Sequence, residues 1–494
     1  MTTDSKRDAL VLGSGIGGLS TAVLLARLGF RVAVIEKNPL PGGLLRSYRR
    51  GGLDCPVGVH YFGAFGEGEP LRRMCDFMGV TEGITAERMG QGGPIDRYLF
   101  DDFTFDLPEG LDAFAEALRR AFPRDAQHLD AILGNLRVMA DLQNSFAFLS
   151  ATPPPINLDL FRPLDAYLSD MGCSRPLKSV LNVAASWVGM SGAECPVLYH
   201  HLALTSYLQS SWRLRGRGSD LAEAYVSRLD ALGGRLILGD PAEAILASGG
   251  AVTGVRLASG RVLAADRVVA ALHPKTVLGM LPEGALKPLR VRRIRRLAET
   301  EGLFSVSAAV DARAHPALPH NLFRLRADPD GGLAEGVFYQ LLSGTQEWNL
   351  LTIITKSLFS EWRRWEDTTT GRRGADYEAE KLGRAERFLR QAEEVFGPLR
   401  GARILDAYTP LTLRDWTGSP EGAPYGILRS TRQLPAAATL HRPTLAGLYL
   451  AGQNALSPGV LGTVLGSFQA ARQMIGQERF SREVLGPLRS APAR

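Results

Sequence analysis

Apolar runs broken by glycine turns stand near both ends of the 494-residue chain. Ala9–Leu12 is short and wholly apolar, which predicts a buried strand. Past the turn Gly13-Ser14-Gly15-Ile16-Gly17-Gly18, apolar positions recur at helical spacing through Leu19, Val23, Leu24 and Leu28. A helix therefore follows the turn and stops at Gly29. Val32–Ile35 predicts a second strand that ends at Glu36. Farther on, a helix entered through Asp220 and closed by Gly233-Gly234 precedes a strand over 235–238. Residues 251–274 alternate in period two around Ala258-Ser259-Gly260, predicting a small antiparallel meander. The strand–glycine–helix pattern returns at 447–475, with a strand over Gly447–Ala451 and a helix starting between Gly459 and Gly462. The intervening stretches, 81–211 and 286–435, read as helical and apolar. They include a Pro153-Pro154-Pro155 loop and Trp187, Trp348, Trp362 and Trp365, a density that fits a packed core better than a ligand cage.

The first segment carries the chemistry of dinucleotide binding. Gly13 permits the tight turn, Gly15 lets a pyrophosphate approach the backbone, and Gly18 lets the helix pack closely on the strand. The helix N-terminus then faces the phosphates with its unpaired N–H groups. Glu36, 23 residues after Gly13, is placed to accept hydrogen bonds from the adenosine ribose. A lone G-x-G-x-x-G is weak evidence; the flanking strand, helix and acidic residue make it strong. The following "KNPLPGGLLRS" bares the backbone again at Gly42-Gly43, an extension characteristic of flavoproteins that hold FAD in an elongated form. An ordinary loop is the alternative.

Composition narrows the rest. Forty-five per cent apolar residues over this length allow two or three globular domains. No run approaches the roughly 18 apolar residues of a membrane span, and "MTTDSKRDAL" lacks a signal-peptide core, so a cytoplasmic location is expected. The four cysteines have no C-x-x-C spacing and the eight histidines no H-x-x-x-H pattern, which argues against zinc, a disulfide framework or a metal enzyme. The net charge of +6 is mild, and no nucleic-acid reader motif is present. One dense basic cluster, "RVRRIRRL", spaces Val291, Ile294 and Leu297 three apart, which predicts a helix with one buried stripe and a solvated arginine face. Docking of that face on the inner surface of an anionic membrane is the alternative.

The stretch Gly58-Val59-His60-Tyr61-Phe62-Gly63, the glycine-rich acidic turn "GEGEPLRRMCDF" after it, and the closing "AGQNALSPGVLG" resemble the FAD-dependent phytoene desaturase, carotenoid isomerase and retinol saturase group. That group lies within the amine-oxidase-like flavoproteins, and the first element resembles its retinol-saturase branch in particular. The resemblance implies an α/β fold: a Rossmann-like FAD-binding domain of the amine-oxidase type and a discontinuous α+β substrate domain. The FAD-binding domain takes residues 1–80, 212–285 and 436–494, and the substrate domain 81–211 and 286–435. It also implies that Gly13, Gly15, Gly17, Gly18, Glu36, Lys37, Gly42, Gly43, Leu44, Arg46, Gly452, Gln453, Gly459, Val460 and Gly462 hold FAD. The helix starting at Gly459–Gly462 would point its positive end at the flavin. "YTPLTLRDWTGSPEGAPYG" resembles a stretch beside the flavin and substrate tunnel, which makes Thr409, Thr412 and Tyr425, with Phe62, candidate substrate residues.

His60 and Tyr61 are the candidate catalytic pair. A histidine titrates near neutral pH, so His60 could give a proton to carbon while flavin N5 delivers hydride; a structural or flavin-contacting role is the alternative. The expected activity is hydride transfer to a C=C bond of a long hydrophobic polyene or isoprenoid. Desaturation or cis–trans isomerisation of a carotenoid, reductive cyclisation of a polyene macrolactam, and a non-catalytic carrier role are carried as alternatives. An amine substrate is disfavoured because no aromatic cage precedes Gln453-Asn454. NADPH is the candidate electron donor, and with only one dinucleotide motif present it must bind without a second such unit, or a quinone or oxygen serves instead. Oligomeric state is not legible.

Overall fold

Five of the short apolar runs pair into one parallel sheet. In the computed structural model, which describes residues 7–152, 154, 157–214, 217–442 and 445–490, its order is Arg235–Ile237, Val32–Ile35, Ala9–Leu12, Val268–Ala270, Leu448–Leu450. Pro153 and Pro155 of the predicted loop lie outside the described residues. Ala9–Leu12 and Val32–Ile35 are buried at every position, as central strands covered on both faces must be. The chain order of the strands, 3-2-1-4-5, is that of a nucleotide-binding sheet, in which ligands lie beyond the carboxyl ends of the strands. The predicted meander forms from Ala242–Ser248, Ala251–Leu257 and Val262–Ala264.

Two helices with glycine-rich starts, Ile16–Arg27 and Val460–Ile475, pack side by side on this sheet. Ser467 Oγ donates to the Gly17 carbonyl at 2.8 Å and lies 2.8 Å from Ser20 Oγ. Both N-termini therefore reach the same end of the sheet, although 444 residues separate their starts (460 less 16).

The middle of the chain departs from its helical reading. A seven-stranded sheet runs in the order Arg403–Tyr408, Gly302–Asp311, Trp348–Ser357, Leu333–Leu342, Asn321–Ala327, Asp96–Leu99, Thr104–Leu107. Five of its strands come from residues 302–408. Their patterns misled because strands such as Gly302–Asp311 are buried on both faces, so polar alternation is lost and an apolar run looks the same as a buried helix. One face, through Phe304, Val306, Val337, Tyr339 and Ile353, packs against the helix Ala375–Phe396 together with Trp362 and Trp365. The other face, through Phe323, Leu325 and Phe338, meets a helical layer that includes Arg175–Ser186 and Val197–Gln209. Of the four tryptophans named above, Trp362 and Trp365 are core and Trp187 borders the cavity described below.

A three-stranded sheet ties the two halves together. Phe62–Gly63 pairs with Ser211–Trp212, and Ala86–Arg88 pairs with Trp212–Leu214. Gly63 is required there, since a Cβ would lie 2.1 Å from the Ser206 carbonyl oxygen. The arginine cluster forms the helix Pro288–Arg295, with Ile294 and Leu297 buried; Arg290 turns inward and donates to the Thr439 carbonyl at 2.7 Å. The four cysteines are free and buried. Among the described residues no helix is long and apolar enough to cross a membrane.

Candidate active site

The first glycine turn is a mixture of packing and open positions. Gly13 has φ +92°, a left-handed value that L side chains rarely adopt. A Cβ at Gly18 would lie 1.8 Å from the Gly13 carbonyl oxygen, and one at Gly17 would lie 2.7 Å from Gly452 Cα. Gly15 differs, because a Cβ there would meet nothing within 4 Å. It caps the helix Ile16–Arg27, whose first turn carries no acidic residue. Gly17 and Gly18 thus close the helix onto its surroundings while Gly15 leaves the helix N-terminus open to the cavity.

The second glycine pair is laid on the first. Gly42 N donates to the Ser14 carbonyl at 2.9 Å, and a Cβ on Gly43 would approach Gly15 Cα to 3.0 Å. Glu36 stands at the wall with Oε2 accepting from Ser14 N and Oγ, and Oε1 accepting from Asn38 N and Nδ2. From the far end of the chain, Gly452 contributes a left-handed turn (φ +74°) against Gly17. Gln453 Nε2 donates to the Pro424 carbonyl at 3.0 Å, and Gly459 caps the helix that begins at Val460. A Cβ at Gly462 would lie 2.7 Å from the Ser457 carbonyl oxygen. Two helix N-termini without acidic residues and a bare backbone at Gly15 and Gly43 fit the phosphates of a dinucleotide.

This cradle is one end of a cavity of about 720 Å³ that continues between the seven-stranded sheet and the helical layer. The far part is an aromatic chamber of Tyr61, Trp187, Tyr199, Tyr207, Phe338 and Tyr425. Tyr61 lies 5.0 Å from Tyr207 and 5.8 Å from Phe338, centroid to centroid, and Trp187 stands edge-on to Tyr207 at 4.9 Å. No described residue holds the Tyr61 or Tyr425 hydroxyl in a hydrogen bond. Burial pushes the Tyr425 phenol up to about 12 and the Tyr61 phenol well above its ordinary value, with Asp96 and Tyr425 adding to the effect on Tyr61. Both stay neutral O–H groups.

The chain matches the model of the flavin containing amine oxidoreductase family over residues 16–475. It belongs to that family. This flavoprotein holds FAD and is an FAD-dependent oxidoreductase. It is 23% identical to all-trans-retinol 13,14-reductase of Rattus norvegicus, across 96% of this chain and 87% of that one. It is also 26% identical to 4,4'-diapolycopene oxygenase of Methylomonas sp across 65% and 66% of the two chains. Cyclohexylamine oxidase of Brevibacterium oxydans IH-35A has the same fold, with a TM-score of 0.62 and 20% identity over 97% of this chain and 99% of that one.

Several residues of the flavoprotein depart from the roles read from sequence. The imidazole of His60 was expected to titrate near neutrality; burial pushes it down to about 4, so it is neutral at pH 7. Its ring nitrogens are buried without partners, its ring rests 5.8 Å from Phe338, and its carbonyl accepts from Gln340 Nε2 at 3.1 Å. Thr412 does not line the cavity. On the helix Pro410–Thr417 the cavity takes Leu413, Trp416 and Thr417, spaced three and four apart, and Thr412 falls on another face. Thr409 is buried against Tyr377 with its hydroxyl 2.9 Å from the phenol. Arg46 is a brace and not part of the wall: Nε donates to the Gly43 carbonyl at 2.9 Å and the guanidinium stacks 4.7 Å over Trp416. Lys37 and Leu44 border the cavity, Lys37 with Nζ donating to the Asp415 carbonyl at 2.6 Å. Phe62 also borders it, but its ring turns edge-on to Phe65 in the FAD-side core.

Motif reasoning missed Arg429, Trp187, Tyr207 and Phe338. Arg429 is buried and donates to the Gln453 and Asn454 carbonyls at 3.0 and 2.9 Å, which stiffens the closing turn. Only helical spacing on Val197–Gln209, where Tyr199, Leu202, Ala203, Ser206 and Tyr207 share the cavity face, could have pointed to Tyr207.

Neutral buried histidines make the protein acid-sensitive. His200 is pushed down to about 4 by burial; its Nε2 donates to the Leu181 carbonyl at 2.8 Å and its Nδ1 accepts from His201 Nδ1 at 2.9 Å. An unfolded histidine protonates below about 6.5, and His60 and His200 do not until about 4, so the unfolded chain binds more protons between those values. Stability is therefore full above about pH 6.5 and falls toward pH 4, by about 3 kcal/mol for each of His60 and His200. Burial lifts the Asp96 carboxyl to about 7, which adds stability as pH falls over the same range, so urea midpoints at pH 7.5 and 5 in an Asp96→Asn background check this; equal midpoints there would contradict it.

Proposed function

We propose that this flavoprotein reduces a carbon–carbon double bond of a long hydrophobic polyene or isoprenoid. One observation carries the reading: the FAD cradle opens directly into a largely apolar aromatic chamber whose unpartnered hydroxyls belong to neutral phenols. The relative named for reduction of all-trans-retinol, matched across nearly the whole chain, supports it. FAD when bound supplies hydride exchange with carbon. The protein's part is to exclude water, orient the polyene between Trp187, Tyr207 and Phe338, and give a proton from the Tyr61 hydroxyl. Gly13, Gly15, Gly17, Gly18, Glu36, Gly42, Gly43, Gly452, Gly459, Val460 and Gly462 build the cofactor site, with Arg46 and Lys37 bracing it. The FAD-binding domain is residues 1–80, 212–285 and 436–494, and 81–211 with 286–435 form the substrate domain.

The test is anaerobic. Photoreduced holoenzyme mixed with all-trans-retinol is expected to reoxidise while the polyene absorbance shifts and the product gains two hydrogens. Oxidised enzyme bleached by a polyene, with reduced enzyme inert, would instead assign desaturation, the direction suggested by the carotenoid desaturases also matched. The same protein mixed with NADPH tests the electron donor.

The arginine helix is the membrane-facing element of this reading. Arg292, Arg293, Arg295 and Arg296 are exposed beside Leu289, which is 61% exposed. At about 1 kcal/mol per arginine on an anionic surface, the protein is expected to sediment with phosphatidylserine vesicles. Reversing these four charges should release it; equal binding to neutral vesicles would contradict the assignment.

A further inference from the structure

Behind the aromatic wall lies a buried polar cluster that the chemistry above leaves unused. Asp96, on the strand Asp96–Leu99, is fully buried. Its Oδ1 accepts from the Tyr207 hydroxyl at 2.8 Å and from Asn321 Nδ2 at 2.9 Å, while Oδ2 has no partner. Asn321 lies opposite Asp96 in register on the parallel neighbouring strand. Its Oδ1 accepts from Gln340 Nε2 at 3.2 Å, and the same Nε2 donates to the His60 carbonyl. The sheet thus joins a carboxyl group to the backbone of the His60-Tyr61 segment, and Tyr207, whose hydroxyl bonds that carboxyl, lays its ring at a tilt against Tyr61.

A wall built only to hold hydrocarbon gains nothing from this group. A buried acid with a bare oxygen carries the desolvation cost of that oxygen uncompensated. The neighbouring cation gives it charge at a distance but no hydrogen bond: Arg213 Nη1 donates to the Leu318 carbonyl at 3.0 Å, and its Nε and Nη2 stay unpartnered. We infer that Asp96 is a positioning residue that acts from behind Tyr207: holding its own proton, it keeps the wall uncharged while Tyr61 gives up its proton, an assignment that rests on the reductive reading above.

The step balances. The double bond takes hydride from the reduced cofactor at one carbon and the Tyr61 proton at the other, so its π pair is replaced by two C–H bonds. The substrate gains two electrons and the cofactor loses them. The Tyr61 oxygen recovers its proton from water between turnovers. A phenolate left in this wall beside a carboxylate would be doubly penalised, because burial and Asp96 both raise the Tyr61 phenol. A neutral Asp96 removes the part of that penalty that comes from its charge. Burial lifts Asp96 to about 7, opposed by its bonds to Tyr207 and Asn321 and by Arg213. The other ionisable groups facing it, Tyr61, Tyr98 and Tyr207, are raised phenols and do not titrate near there. Asp96 therefore carries its proton below about pH 7 and loses it above, so reduction should slow as pH rises through that value.

The test uses the FAD-loaded protein and Asp96→Asn and Tyr207→Phe variants. Without substrate, the infrared C=O stretch of a protonated carboxyl should titrate near neutrality and be missing from Asp96→Asn. In single-turnover reoxidation by all-trans-retinol, wild type should show a falling limb near pH 7. Asp96→Asn, neutral at every pH, should lose that limb, so that its rates at pH 6 and pH 8 agree. Tyr207→Phe removes a donor to the carboxylate and should move the limb to higher pH. A wild-type limb in Asp96→Asn, or no carboxyl band that the substitution removes, would overturn the assignment. A titrating band in a protein that passes no hydride to any polyene would overturn the reductive reading, and the role of Asp96 with it.

Discussion

Replacing Tyr61 with phenylalanine should slow reoxidation of the reduced holoenzyme by its polyene by about 10² to 10⁴, the usual contribution of a positioned acid and about 3 to 5 kcal/mol in the barrier. The apparent affinity for the polyene and the flavin spectrum should hardly change. Tyr61 meets Tyr207 and Phe338 through its ring, and phenylalanine keeps that ring. The removed hydroxyl has no partner among the described residues, so its loss leaves no buried group stranded. His60→Gln is the informative contrast. The imidazole is neutral, and its nitrogens are shielded while its backbone carbonyl makes the bond to Gln340. A change of less than about tenfold is expected from a group that takes no part in proton transfer. Stopped-flow traces at a fixed pH decide between the two residues. A Tyr61→Phe enzyme of nearly wild-type speed would reduce Tyr61 to a piece of the wall.

Gly15→Ala and Gly18→Ala, three positions apart in one motif, should fail in different ways. At Gly18 the new methyl would lie 1.8 Å from the Gly13 carbonyl oxygen, and backbone cannot swing aside as a flexible side chain can. Overpacking of this kind costs about 3 kcal/mol or more, and the variant should show a lowered Tm even after flavin has been stripped. At Gly15 φ is −64° and the methyl meets nothing, so the stripped protein should unfold with wild-type Tm. It should nonetheless purify colourless, because the methyl would occupy the approach to the helix N-terminus. Thermal unfolding with and without added FAD separates the cases. A yellow Gly15→Ala protein with wild-type flavin content would mean that the cofactor phosphates lie elsewhere.

Legibility varied along the chain for physical reasons. The glycine positions were readable because each answers a local demand: a left-handed φ at Gly13, or a carbonyl 1.8 Å away at Gly18. The helix starting at Val460 was readable for the same reason. The neutral-pH role for His60 was not sound, since a histidine's pKa depends on what surrounds it, and here the surroundings are Phe338 and other buried groups brought in by folding. Thr412 misled because a helix shows only one side to a cavity, and motif matching does not say which. Arg46 could not be told from a phosphate ligand in sequence; its stacking partner, Trp416, is 370 residues away (416 less 46).

The sequence by itself determined the nucleotide-binding unit, because strand, turn, helix and acidic residue are consecutive and each constraint acts within about thirty residues. It also determined that a second glycine-started helix would close the site. Only the tertiary structure decided the chamber. Tyr61, Trp187, Tyr207, Phe338 and Tyr425 come from five separate segments, and Asp96, Asn321 and Gln340 meet because their strands are neighbours in one sheet. Strand order and helix facing are set by the burial of the whole core. No short window of residues carries that information, so the cradle could be read before folding and the chamber could not.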